Sequence, residues 1–212
     1  MTLTRRRLVS APLLAAGALS LGGCAALSGL GGGPALDAFE LRAPANPPVA
    51  GRSLARDLVV ETPEAGPALD LDRIMIRPNP LQAQYLPGAR WTGDAPVMMQ
   101  RLMVRTLQDA NAFRFVGRRP LGPGADFALV SELTDFQAED TADSTIVRIR
   151  LVARLVREQD ATVIASRSFT ATTPIESLDT LVVVQSFNTA TDSLMRDLST
   201  WVQSTLGAAP RA

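Results

Sequence analysis

The single cysteine of this 212-residue chain closes the tetrad Leu21-Gly22-Gly23-Cys24. A thiolate is the side chain most readily alkylated by a lipid donor, and the small Gly22 and Gly23 let a peptidase reach the bond between Gly23 and Cys24. Upstream stand Arg5-Arg6-Arg7 and then an apolar run from Leu8 to Leu21. That run is shorter than the roughly 20 apolar residues that cross a hydrocarbon core, and Pro12 and several glycines interrupt it. It reads as a removable export segment, residues 1–23, with Cys24 as the mature first residue. An acyl chain on that cysteine contributes about 0.8 kcal/mol per buried methylene, and a second signal or second chain turns marginal binding into stable anchoring.

Little else in the chain can do covalent or acid–base chemistry. There is no His and no Lys, so every cation is an arginine. A His-based triad, an imidazole metal ligand, a Schiff base and a phosphate-loop lysine are all excluded. With Cys24 consumed by lipid, no thiol remains for disulfides or thiolate catalysis. Carboxylates are what is left, in Glu139-Asp140, Asp143, and Asp70 with Asp72. Each sits in a turn-like polar context and reads as a solvated loop charge. No cofactor and no metal is implied. Formal net charge is +0, which gives no global field for nucleic acid.

The cationic start Thr4-Arg5-Arg6-Arg7-Leu8-Val9 fits two readings, a twin-arginine signal that exports a folded chain or the basic n-region common to export signals. After Cys24 comes GLGGGP (Gly29 to Pro34), a glycine-rich random-coil tether rather than a phosphate loop, since no strand precedes it. The expected organisation is therefore residues 1–23 as signal, 24–36 as lipidated N-terminus and tether, 37–207 as the domain and 208–212 as a tail.

Within the domain, hydrophobic periodicity assigns the elements. Short strands are expected at Ala38 to Leu41, around Leu58-Val59-Val60, at Ile74-Met75-Ile76 and from Tyr85 to Trp91, with Pro78-Asn79-Pro80 forcing a turn. Asp94-Ala95-Pro96 is a helix start, a capping acid followed by proline in the first turn. The helix should run over residues 95–111 and bury Met99, Leu102, Met103, Thr106 and Ala110. Met98, Met99 and Met103 read either as core filling or as the wall of a hydrophobic-ligand pocket of several hundred cubic ångströms.

After a strand at Phe113 to Val116, three long segments should form an antiparallel meander, from about Asp126 to Gln137, Ser144 to Arg157 and Thr162 to Thr172. The middle one sets Val147, Ile149, Leu151, Ala153 and Leu155 against Arg148, Arg150 and Arg154. The arginine face is a candidate docking surface for an acidic partner or phospholipid headgroups, or else a solvated sheet face. A long final helix begins near Leu178 or Val183 and ends at Gly207. Before it, Leu181-Val182-Val183-Val184 is either the helix start or an apolar self-association patch. The fold class is α/β of the α+β type: one domain, with two main helices packed on a mixed, largely antiparallel sheet.

The Leu, small, small, Cys order resembles the processing site of bacterial lipoproteins. Nearly all of the chain after the tether resembles the auxiliary lipoprotein component of ABC-type transport systems. The likeness rests on Leu69 to Ile74, Trp91 before the first helix and Asn111-Ala112-Phe113 before a strand. It continues in Ser166-Arg167-Ser168-Phe169 of the long hairpin, then Phe187, Ala190 and Leu198-Ser199-Thr200-Trp201-Val202 of the last helix. Ala38-Phe39 departs from the Tyr-Tyr pair of many members. The resemblance implies a non-catalytic periplasmic lipoprotein held at the outer membrane by Cys24. Ala25 agrees, since an aspartate there is the usual inner-membrane retention signal. The implied partners are a mammalian-cell-entry-type substrate-binding protein and an ABC permease and ATPase that move phospholipid or other hydrophobic cargo, and the protein itself could form a ring of like copies.

Overall fold

Strand β8 (Thr145–Arg157) turns its period-two sequence into two unlike faces. Val147, Ile149, Leu151, Ala153 and Leu155 are all 0% exposed, while the alternate positions face outward. On either side run β7 (Phe127–Asp140) and β9 (Thr162–Pro174), both antiparallel to it over nearly their full lengths. The structure, a computed structural model, describes residues 35–141 and 144–211. Cys24, Gly23, the export segment, the Gly29 to Pro34 tether and Asp143 lie outside those residues.

The other edge of β7 holds three short strands in chain order, all parallel to it. β2 (Leu54–Val60) pairs at Phe127 to Leu129, β3 (Glu64–Ala65) at Glu132 and Leu133, and β4 (Arg73–Asn79) at Gln137 to Glu139. β5 (Gln82–Trp91) returns antiparallel to β4, and β1 (Asp37–Phe39) lies parallel along β5. β6 (Phe113–Gly117) closes the far side, parallel to β2. The sheet is mixed, with most paired residues antiparallel.

Three local details differ from the expectation, each for a physical reason. Pro78 belongs to β4, and the turn is Pro80-Leu81; β4 pairs with β7 only through Arg77, so Pro78 removes no hydrogen bond from that ladder. β5 carries a bulge between the partners of Arg73 and Met75, and Gly88 sits in it at φ 72, where a side chain would be strained. β7 extends past Gln137 to Asp140.

Helix α1 (Ala95–Asp109) begins with Pro96 in its first turn, but the Asp94 side chain makes no capping hydrogen bond. The Ala95 N–H instead donates to Leu71 O at 3.1 Å, and the Trp91 N–H donates to Asp72 O at 2.7 Å. The Leu69 to Ile74 segment thus caps the helix in place of a side chain. Asn111, at φ 52, ends α1 in the left-handed conformation that asparagine tolerates. Helix α2 (Thr180–Leu206) ends at Gly207, φ 83, with Ala208 N–H donating to Gln203 O at 2.8 Å. The Leu181 to Val184 run starts this helix; Val183 is buried and Leu181 is exposed.

Both helices cover the apolar face of the sheet. Met99, Leu102, Met103 and Leu107 of α1 and Phe187, Ala190, Leu194, Leu198 and Val202 of α2 join the inner residues of β8 in one core. At its centre Trp91, Phe136 and Phe187 meet with ring centroids 4.9 to 5.7 Å apart. Such pairs add about 0.5–1.5 kcal/mol each beyond burial. The irregular stretch before β2 is strapped down: Gln203 Nε2 donates to Pro48 O, Arg52 donates to Gly207 O, and Arg211 N–H donates to Val49 O.

Candidate functional site

The outward face of β8 brings Arg148 and Arg150 together with carboxylates from β7. Arg148 meets Glu139 through two contacts, Nε to Oε1 at 2.8 Å and Nη2 to Oε2 at 3.0 Å. Arg150 Nε lies 3.2 Å from Asp135 Oδ2. Gln137 ties the two pairs together, its Nε2 donating to Asp135 Oδ1 at 3.0 Å and to Glu139 Oε1 at 3.1 Å. Its Oε1 accepts the Phe136 N–H, so the amide orientation is fixed. Arg154, opposite Val130 and Ser166, is exposed and has no ion-pair partner among the described residues. One free guanidinium and two neutralised ones is a different surface from three free cations.

The electrostatics follow from that geometry. The Arg148 guanidinium holds the Glu139 carboxyl below the usual glutamate range, with burial opposing and the Gln137 amide assisting. Glu139 in turn pushes the Arg148 guanidinium up. A second charge group sits where β2, β6 and β7 start: Asp57 N–H donates to Asp126 Oδ2, Arg56 pairs with Asp126 and Arg114 with Asp57. The Asp57 backbone hydrogen bond, ahead of Arg56, keeps the Asp126 carboxyl low. With their proton affinities lowered, Glu139 and Asp126 are ionised scaffolding, not proton donors at neutral pH.

Glu139 lies in a strand rather than in a loop, Asp72 pairs with Arg90, and Asp70 is exposed. Among the described residues no three acidic, thiol or imidazole side chains gather as a metal site. Met98, Met99 and Met103 are buried and belong to the hydrophobic core.

A cavity exists elsewhere, one for which the sequence carried no periodic signal. It has a volume of about 580 Å³ and is lined by Thr62, Val97, Gln100, Arg118 and Arg119. Thr62 follows β2, the two arginines follow β6, and Val97 and Gln100 lie in the first half of α1. Gln100 Nε2 donates to Val60 O and Gln108 Nε2 to Val116 O, both at 2.9 Å, so α1 is pinned to the ends of both strands. The hint in sequence was Arg118-Arg119 in a Gly- and Pro-bounded turn, which resembles any solvated loop.

The family model described as ABC-type transport auxiliary lipoprotein component matches residues 39–199. A crystal structure of a Xanthomonas campestris protein superposes with a TM-score of 0.71 at 28% identity, over 81% of this chain and 96% of that one. An uncharacterized protein of known structure shares the fold, with a TM-score of 0.62 at 15% identity, over 79% of this chain and 99% of that one. An uncharacterized protein of Bradyrhizobium diazoefficiens is 26% identical over 179 residues, which is 81% of this chain and 46% of the relative. The chain thus spans about half the length of that curated relative.

Proposed function

Since the chain belongs to the family of ABC-type transport auxiliary lipoprotein components, we propose that it is a periplasmic lipoprotein anchored to the outer membrane through acylated Cys24. In this reading it serves, without catalysis of its own, a mammalian-cell-entry-type ABC system that moves phospholipid or another hydrophobic substrate between membranes. The observation that carries the reading is the family match over residues 39–199, which takes in every element from β2 through most of α2. The residues bearing the resemblance support it by their positions: Leu69, Ile74, Trp91 and Phe187 are all buried. Arg154 on the sheet face and Leu181 at the start of α2 are the exposed groups offered for docking and for contact between like copies.

The test is a pull-down of the acylated protein from native envelopes with mass spectrometry of co-purifying proteins and lipids. A substrate-binding transporter subunit is the expected partner, lost with an unlipidated Cys24→Ser form kept in the periplasm. Stoichiometric lipid without any transporter subunit would replace this reading with that of a ligand-holding lipoprotein.

A further inference from the structure

We infer that the cleft between α1 and the ends of β2 and β6 is a binding site for a phosphate-bearing ligand, gripped by Arg118 and Arg119. β2 and β6 are parallel neighbours, and α1 runs back across them. The cleft therefore opens at the carboxyl ends of parallel strands, the end at which open α/β sheets hold ligands. Its volume, about 580 Å³, is within the roughly 300–1,000 Å³ of small-molecule sites.

The lining sets the chemistry. It comprises two guanidiniums, a hydroxyl, an amide and one valine, with no carboxylate. The chain as a whole has a formal net charge of +0, so this is a local excess of positive charge. Among the described residues Arg118 and Arg119 make no ion pair, side-chain hydrogen bond or aromatic contact, unlike Arg148, Arg150 or Arg167. Among the described residues Arg42, Arg101, Arg154 and Arg211 also have unpaired guanidiniums; of these Arg42 lines a second cleft, but there it shares the lining with the carboxylates of Glu40 and Asp109. Two adjacent guanidiniums repel each other until an anion sits between them, and their planar forks match phosphate oxygens.

The cleft is also built rather than accidental. At Gly117 a Cβ would collide with the Phe115 ring, so only glycine lets that ring fold over the strand end just before Arg118. Gln100 and Gln108 lock α1 to the carbonyls of Val60 and Val116. The strand that delivers the arginines is thus held as far as Val116, two residues before Arg118. The inference does not depend on the transport reading.

The experiment uses the full chain carrying Cys24→Ser in dodecyl maltoside micelles, titrated calorimetrically with inorganic phosphate, glycerol 3-phosphate and a short-chain phosphatidylglycerol. Expected is saturable binding that weakens at least about tenfold in the Arg118→Gln/Arg119→Gln double variant, each charge-assisted hydrogen bond being worth that much. Arg101→Gln, which removes an exposed cation outside the lining, should leave it unchanged. Phosphatidylglycerol binding alone assigns a membrane headgroup; glycerol 3-phosphate binding equally well assigns a soluble phosphate ester, and equal binding of all three assigns phosphate itself. Absence of binding by every probe at millimolar concentration overturns the inference. So does binding that the double variant retains, with its thermal melt matching the parent.

Discussion

One strand, β8, supports two opposite kinds of surface. Inward, five consecutive alternate side chains are fully buried under two helices. Outward, arginines and carboxylates form a ladder in which position and sign both matter. Burial is non-directional and scales with apolar area, so the inner face tolerates rearrangement of shape but not loss of volume. The ladder is directional and depends on the ionisation of its carboxylates, so it tolerates loss of volume but not loss of charge. The two faces should therefore fail under different perturbations.

The largest effect belongs to the inner face. Phe187→Ala removes the ring shared by two aromatic contacts at the core centre and should cost about 3–5 kcal/mol of unfolding free energy. Urea denaturation with an unchanged slope measures it. A loss below about 2 kcal/mol would mean that α2 collapses into the space and the core is less tightly packed than the contacts imply.

Next comes the ladder. Glu139→Gln keeps the volume and removes the charge facing Arg148, and should cost about 1 kcal/mol near neutral pH, the upper end for partly exposed pairs. The folded-state affinity of Glu139 for its proton is lowered, so its stabilisation is complete above the ordinary glutamate range and is lost as pH falls through that range toward the lowered folded value. The variant should flatten that part of the acid-denaturation curve, whereas Phe187→Ala should shift the whole curve and keep its shape. Identical curve shapes for parent and Glu139→Gln would show that the ladder contributes nothing linked to protons.

The same contrast separates what sequence reveals from what it conceals. The inner face of β8 could be read directly, because a two-residue period repeated from Val147 to Leu155 leaves no second solution. The meander and both helices followed. The strand β7 was expected, but its inward face resisted, because the register shifts between Leu133 and Asp135, which moves the inward set from Leu129 and Leu133 to Phe136 and Ala138 and destroys the alternation. On the outer face, Arg148 and Arg150 could be named, but their partners on β7 are set by cross-strand register, which no local pattern encodes. The Arg118 and Arg119 cleft was hidden for the same reason: Thr62, Gln100 and Arg118 come together only through the β2, α1 and β6 arrangement.

A smaller effect tests whether polarity inside the core is useful at all. Thr191, fully buried on α2, has a hydroxyl without a hydrogen-bond partner. Thr191→Val removes a desolvated polar group at nearly constant volume and should stabilise the fold by about 1 kcal/mol. A loss of stability instead would place an ordered water on that hydroxyl.

The smallest effect on stability is expected at Arg154, and its smallness is what makes it informative. Arg154 stands in the same row as Arg148 and Arg150, yet it faces Val130 and Ser166 rather than carboxylates. Exposed and unpaired among the described residues, it gives the folded state nothing to lose, so Arg154→Gln should change unfolding free energy by no more than about 0.5 kcal/mol. Arg148→Gln leaves Glu139 without its guanidinium and should cost more. If the outer face docks a partner, the order reverses in the envelope pull-down: Arg154→Gln reduces partner recovery because its charge is free, while Arg148→Gln acts mainly through the fold. Equal partner recovery with both variants would identify the arginine face as scaffold alone.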